Sequence, residues 1–154
     1  MNRRRFLAVA LAAPSAVHAH HGWSGFDQTR PIYLEGRAVK VSWRNPHAEI
    51  ELELAADLKL PADLPTRSLP PQAAPVDGPQ LLRTAQLPTR KDRRWQIELA
   101  PILRMDAWKV PEIKLGDSVA VLGFTFAGEK GDAVMRAEYL FVGGQTYGLR
   151  SAPA

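Results

Sequence analysis

From residue 32 onward the hydrophobic and polar positions alternate in short runs punctuated by glycine and proline. That period belongs to β-strands with one buried face. Residues 32–44 (IYLEGRAVKVSWR) are β-branched and alternating, with Gly36 marking a bulge or bend. Asn45-Pro46 is a turn signal. In residues 47–55 (HAEIELELA), Ala48, Ile50, Leu52 and Leu54 fall on one face and His47, Glu49, Glu51 and Glu53 on the other. This predicts a half-buried strand paired with the first.

Between Asp57 and Arg94 the alternation dissolves. Prolines at 61, 65, 70, 71, 75, 79 and 88 remove backbone donors and argue against any regular strand or helix. We therefore expect 57–94 to be a long, proline-rich, largely irregular surface insertion. The basic run Arg90-Lys91-Asp92-Arg93-Arg94 closes it as a solvated flank, with contact to an anionic surface as the other reading. Alternation resumes at 95–99, and 101–108 (PILRMDAW) fits a short helix opening on proline. Strands are expected at 118–126, with a bend at Gly123, at 133–142 and at 146–149. The sum is an all-β, mainly β chain: a small OB-like, partly open, five- to six-stranded antiparallel barrel with one short helix. A β-sandwich is the alternative.

The first nineteen residues change the picture of where the chain works. Arg3, Arg4 and Arg5, the apolar stretch Phe6 to Ala13, and Val17-His18-Ala19 have the order of a cleavable signal peptide. Asn2-Arg3-Arg4-Arg5-Phe6-Leu7 also resembles a twin-arginine leader. The apolar stretch is far short of the ~20 residues a membrane span needs. The expectation is a cleaved leader over 1–19, a periplasmic or otherwise exported product, and one domain over 20–154 without a membrane span. The formal charge of +4 falls to +1 when the three arginines leave, which removes the electrostatic case for binding nucleic acid. Cysteine is absent, so neither disulfides nor thiolate ligands are available.

Several motifs carry a family resemblance. His20-His21-Gly22-Trp23-Ser24 with Phe26-Asp27, then Pro31, Gly36 and Trp43-Arg44-Asn45-Pro46-His47, resemble a family of small exported bacterial proteins catalogued as a domain of unknown function. Trp95 to Pro101, Lys114-Leu115-Gly116-Asp117 and Met135-Arg136-Ala137-Glu138 continue the resemblance. It implies export and a β-rich domain, and brings no activity with it.

Candidate chemistry centres on histidine. Cleavage after Ala19 makes His20 the terminal residue, whose α-amine and imidazole can chelate one metal ion. His47 is a third nitrogen donor, completing a histidine brace, and His21 can replace either imidazole. Such a nitrogen-rich tetragonal set suits Cu(II). Zinc is the second choice, with water or a carboxylate such as Asp27 in the fourth position. The plain counter-reading is a frayed terminus and a turn-capping His47. Trp23, Phe26 and Trp43 are read as core before aromatic wall, Glu49, Glu51 and Glu53 as a solvated face, and Met105 and Met135 as core before Cu(I) ligands. Asp106 and Arg104 beside Trp108 could edge a cleft, though no motif supports it. Three functions follow: a periplasmic copper-handling module, a metal-free envelope domain binding a protein, peptide or glycan, and, least favoured, a copper oxidase. No catalytic residues are assigned, and the chain is not read as an enzyme.

Overall fold

In the computed structural model the described residues are 22–154; His20, His21 and the leader lie outside them. The chain forms β1 (Ile32–Ser42), β2 (Glu49–Leu54), α1 (Gly78–Thr84), β3 (Arg94–Glu98), α2 (Ile102–Ala107), β4 (Ser118–Phe124), β5 (Val134–Val142) and β6 (Gln145–Gly148). The strand order is β3-β2-β1-β4-β5-β6, and an additional β3–β5 pairing closes the first five strands into a barrel. This is the OB-type architecture expected, with α2 between β3 and β4, and β6 extending the sheet beyond the closure. One detail differs from an all-antiparallel barrel. The closing pair is parallel, with Gln96 opposite Val134, Ile97 opposite Met135 and Glu98 opposite Arg136. No hydrophobic pattern announces a pairing between strands so far apart in sequence.

The alternation sorts as it should. Ile32, Leu34, Ile50, Leu52, Ile97, Val121 and Leu140 point into the barrel with Trp95, Met105 and Met135. Glu51 and Glu53 stay outside, where Arg94 reaches them at 3.5 and 3.2 Å. Gly36 is not a bulge: the register slips further on, between Ala38 and Lys40. Its role is close approach, since a Cβ there would lie 2.0 Å from the Glu53 carbonyl oxygen. Gly123 lies inside β4. The β4–β5 register slips beside it, passing from Leu122–Tyr139 to Gly123–Ala137 and leaving Glu138 as the extra residue.

The insertion departs most from expectation. It contains the helix α1 and a 3-10 turn at Leu64–Thr66. Proline is no obstacle there. Pro79 occupies the first turn of α1, where no helical donor is needed, and the Asp77 side chain accepts from the Gln80 amide at 3.0 Å. Leu64, Leu82 and Ala85 are buried against Tyr33, Leu122 and Tyr139, which the strand period turns out of the barrel. The segment is thus a cover with its own small core. Backbone bonds tie it down on both sides: Tyr33 donates to Gln86 O at 2.8 Å and Ala73 to Ala152 O at 3.0 Å.

The basic run is also more engaged than a solvated flank. Arg90 Nη1 donates to the carbonyls of Glu129, Gly131 and Asp132, and Arg93 donates to Leu54 O. Among the described residues, no helix is long and apolar enough to cross a membrane.

Candidate functional site

The parallel seam between β3 and β5 sets two charged residues side by side. Arg136 Nη1 donates to Glu98 Oε2 at 3.1 Å, and both side chains are more than nine-tenths buried. Withdrawing such a pair from water is costly, and removing one partner is costlier still. On its other side, Arg136 Nη2 lies 3.3 Å from His47 Nε2. A guanidinium only donates, so in this contact Nε2 is the acceptor. His47 is held here by its neighbour: Ala48 donates to Ala100 O and Leu99 to Ala48 O, both at 2.9 Å, stitching the entry of β2 to the exit of β3. The preceding Asn45–Pro46 bond is cis. Arg136 Nε is buried without a hydrogen-bond partner. Arg104, which donates to Leu149 O, lies close enough to Arg136 that burial, together with this like charge, lowers its pKa.

Trp23 closes the site from the N-terminal side. Its ring lies 3.7 Å from the Arg150 guanidinium and 5.2 Å from that of Arg136, with Phe124 edge-on at 6.4 Å. Gln28 braces the arrangement, donating to Trp23 O at 3.1 Å and accepting from Arg150 Nη1 at 2.7 Å. Arg150 in turn pairs with the fully buried Glu138, which also accepts from Gln72 Nε2. Among the described residues the site is therefore two arginine–carboxylate pairs under one indole, with the His47 imidazole at the edge.

The other candidate residues distribute as follows. His20 and His21 lie outside the described residues. Among the described residues, no three histidine, aspartate or glutamate side chains gather into a metal-ligand group. The Asp27 carboxylate accepts from the Thr29 hydroxyl at 2.6 Å and the Thr29 amide at 3.1 Å, and these bonds lower its pKa. Phe26 is core, stacked on Phe126 at 5.0 Å, while Trp43 packs on the main barrel core away from that aromatic group. Met105 and Met135 are fully buried in the core. Arg104 and Trp108 dock the C-terminal segment, Arg104 donating to Leu149 O at 2.9 Å and Trp108 Nε1 to Ser151 O at 2.8 Å.

Sequence reasoning passed over Arg136, Glu98, Arg150 and Glu138. A signal existed: Arg136 and Glu138 interrupt the otherwise apolar run 133–142. Charges inside a strand buried on both faces must find partners.

No curated protein and no solved structure matches the chain. The resemblance seen in the motifs does have a counterpart: residues 8–59, which include His20, His21, Trp23, β1, His47 and β2, match the model of a family of unknown function, DUF6152.

Proposed function

We propose that the chain is an exported copper-binding protein. Removal of residues 1–19 frees the His20 amine, which with the His20 ring chelates Cu(II), and His47 supplies the third nitrogen; His21 is the alternate imidazole. The observation that carries this reading is the seat of Trp23. Its ring rests on Arg136, and Arg136 touches His47. Two or three residues of chain span at most about 7–11 Å, which limits how far a terminus at His20 can lie from Trp23 and supports this reading. The α-amine, with an ordinary pKa near ~8, yields its proton to copper at neutral pH. The role is handling, delivery or sequestration rather than turnover.

The test is Cu(II) electron paramagnetic resonance on protein beginning at His20, beside protein with one additional N-terminal residue. We expect one tetragonal signal with several nitrogen ligands, altered by the extension and by His47→Ala. Identical, heterogeneous signals in both proteins would sink the reading. An oxidase would in addition consume oxygen in the presence of a reductant, and a carrier would not.

One observation favours the metal-free alternative, a domain binding a protein, peptide or glycan. A cleft of about 490 Å³ opens between the cover and the barrel, lined by Tyr33, Glu35, Arg67, Phe141 and Thr146. Three of its polar side chains are already engaged: Tyr33 donates to Glu35 at 2.7 Å, and Arg67 bonds Asp63 while lying over Phe141. Binding lost on Arg67→Ala and indifferent to the N-terminal extension would favour this second reading.

A further inference from the structure

The outer wall of the barrel carries a trough with a carboxylate at one end. Glu35 of β1, Ala120 of β4, Phe141 of β5 and Thr146 of β6 are register partners in turn, so they form one row across the strands. At ~4.8 Å between strands the row runs about 14 Å. The small Ala120 side chain keeps the floor low, and Arg67 and Ser68 of the cover form a wall of the cleft of about 490 Å³ described above.

Two charged side chains line this cleft, and only one has its counter-ion. Arg67 bonds Asp63 at 2.9 Å and lies 5.0 Å over the Phe141 ring. Glu35 accepts from the Tyr33 hydroxyl at 2.7 Å through one oxygen, and no cation of the described residues pairs with it. The carboxylate is firmly anchored. Tyr33 is 1 % exposed, burial raises its pKa so that its proton stays, and the Ala55 amide donates to Glu35 O at 2.9 Å. A phenol needs only a neutral acceptor, so satisfying Tyr33 does not account for a charge at this position. Glu35 and Ser118 also line a second cleft, of about 400 Å³, so the carboxylate stands where two openings meet.

We propose that this cleft binds an organic cation on an aliphatic stem, its ammonium or guanidinium group paired with Glu35 and its stem laid over Ala120 towards Phe141. The proposal rests on the second reading above and names the class of ligand for that cleft. Glu35 is oriented before the ligand arrives, which lowers the ordering cost of the ion pair. The Arg67 guanidinium shows that the Phe141 ring accepts a cation against it. A basic side chain of a peptide and a free aliphatic amine both present this chemistry.

Binding is measured by NMR titration of the chain recovered after expression with its own leader. The probes are N-acetylated trilysine amide and spermidine; the controls are the same peptide with its side chains acetylated and a neutral trisaccharide. We expect saturable shifts at the amides of Tyr33, Ala120 and Thr146, and affinity at least about tenfold weaker in Glu35→Gln, the worth of one charge-assisted hydrogen bond. Glutamine still accepts from Tyr33, so the variant removes the charge and keeps the anchor. If Glu35→Gln does not fold, Ala120→Leu, which fills the floor and leaves the carboxylate, should abolish binding. Tighter binding of the peptide identifies a basic segment as the source and tighter binding of spermidine a free amine; each supports the site.

Cationic probes bound equally well by Glu35→Gln, or shifts confined to surfaces away from the cleft, overturn the cation site. Neutral controls that bind in the cleft as tightly as the cations overturn it too, and leave the cleft reading standing. No response to any probe overturns both.

Discussion

Glu129 offers a quantitative test of how the cover is fastened. It sits in the β4–β5 loop with its side chain 2 % exposed, paired with Arg30. Its carboxylate accepts from the Thr89 amide at 3.0 Å and from the Arg90 amide at 3.1 Å, near the end of the insertion. Burial alone would push this carboxyl up, but the bonds from the Thr89 amide, Arg30 and the Arg90 amide outweigh it and hold the pKa at about 2, against an ordinary 4.5. A depression of that size corresponds to roughly 3 kcal/mol of stability. Arg30 keeps 27 % of its side chain in water, so screening reduces the figure to about 2 kcal/mol. Because the folded value is the lower one, the contribution is complete above pH 4.5 and is lost as the pH falls toward 2. Glu129→Gln should therefore destabilise by about 2 kcal/mol at pH 7 in urea unfolding. The difference between parent and variant should shrink across the window from pH 4.5 to 2. Comparing the two proteins at each pH cancels the titration of every other carboxylate. A difference below ~0.5 kcal/mol at pH 7, or one that stays constant down to pH 2.5, would refute the assignment of Glu129 as the fastener.

Two further outcomes probe the cover and the barrel. Leu82→Ala should cost about 2–4 kcal/mol in equilibrium unfolding, because Leu82 is 2 % exposed between α1 and the outer barrel face; a change under ~0.5 kcal/mol would mean that the cover contributes no core. Gly36→Ala should lower the melting temperature sharply or abolish folding, since its methyl would lie 2.0 Å from a backbone oxygen of β2, and a parent-like melting temperature would show that the strands are not so close.

The strands were legible because each has one face in the core. In β2 every second residue, Ile50, Leu52 and Leu54, is buried, and the glutamates between them are not. Nothing comparable marks the cover. Its buried residues Leu64, Leu82 and Ala85 are spaced too irregularly to show a period, and its prolines look like breakers until Pro79 is seen to start a helix. Their partners were equally hidden. Tyr33, Leu122 and Tyr139 occupy positions that a two-sided barrel wall would give to solvent, and only the cover explains their apolar character. His47 was legible as chemistry, being the one histidine of the described residues. Its contact with Arg136 spans 89 positions in sequence and depends on the parallel closure, which no local pattern encodes.

That closure also explains why the candidate site lies where it does. Parallel pairing sets Glu98 against Arg136 at the same level of the barrel, with the entry of β2 and its histidine alongside. Charges so placed on a seam are tolerable only if paired and roofed. Glu98 supplies the pairing, and Trp23, held by Arg150 and Gln28, supplies the roof. On the copper proposal the N-terminal segment has two separable tasks, carried by different atoms. The indole of Trp23 completes the packing whatever precedes it, whereas a chelating amine exists only if the chain begins at His20. Adding one residue before His20 should leave the indole and its arginines in place and take only the amine from the proposed ligand set. A change in copper binding on that extension, with unfolding stability unaltered, therefore reports on the ligand and not on the fold.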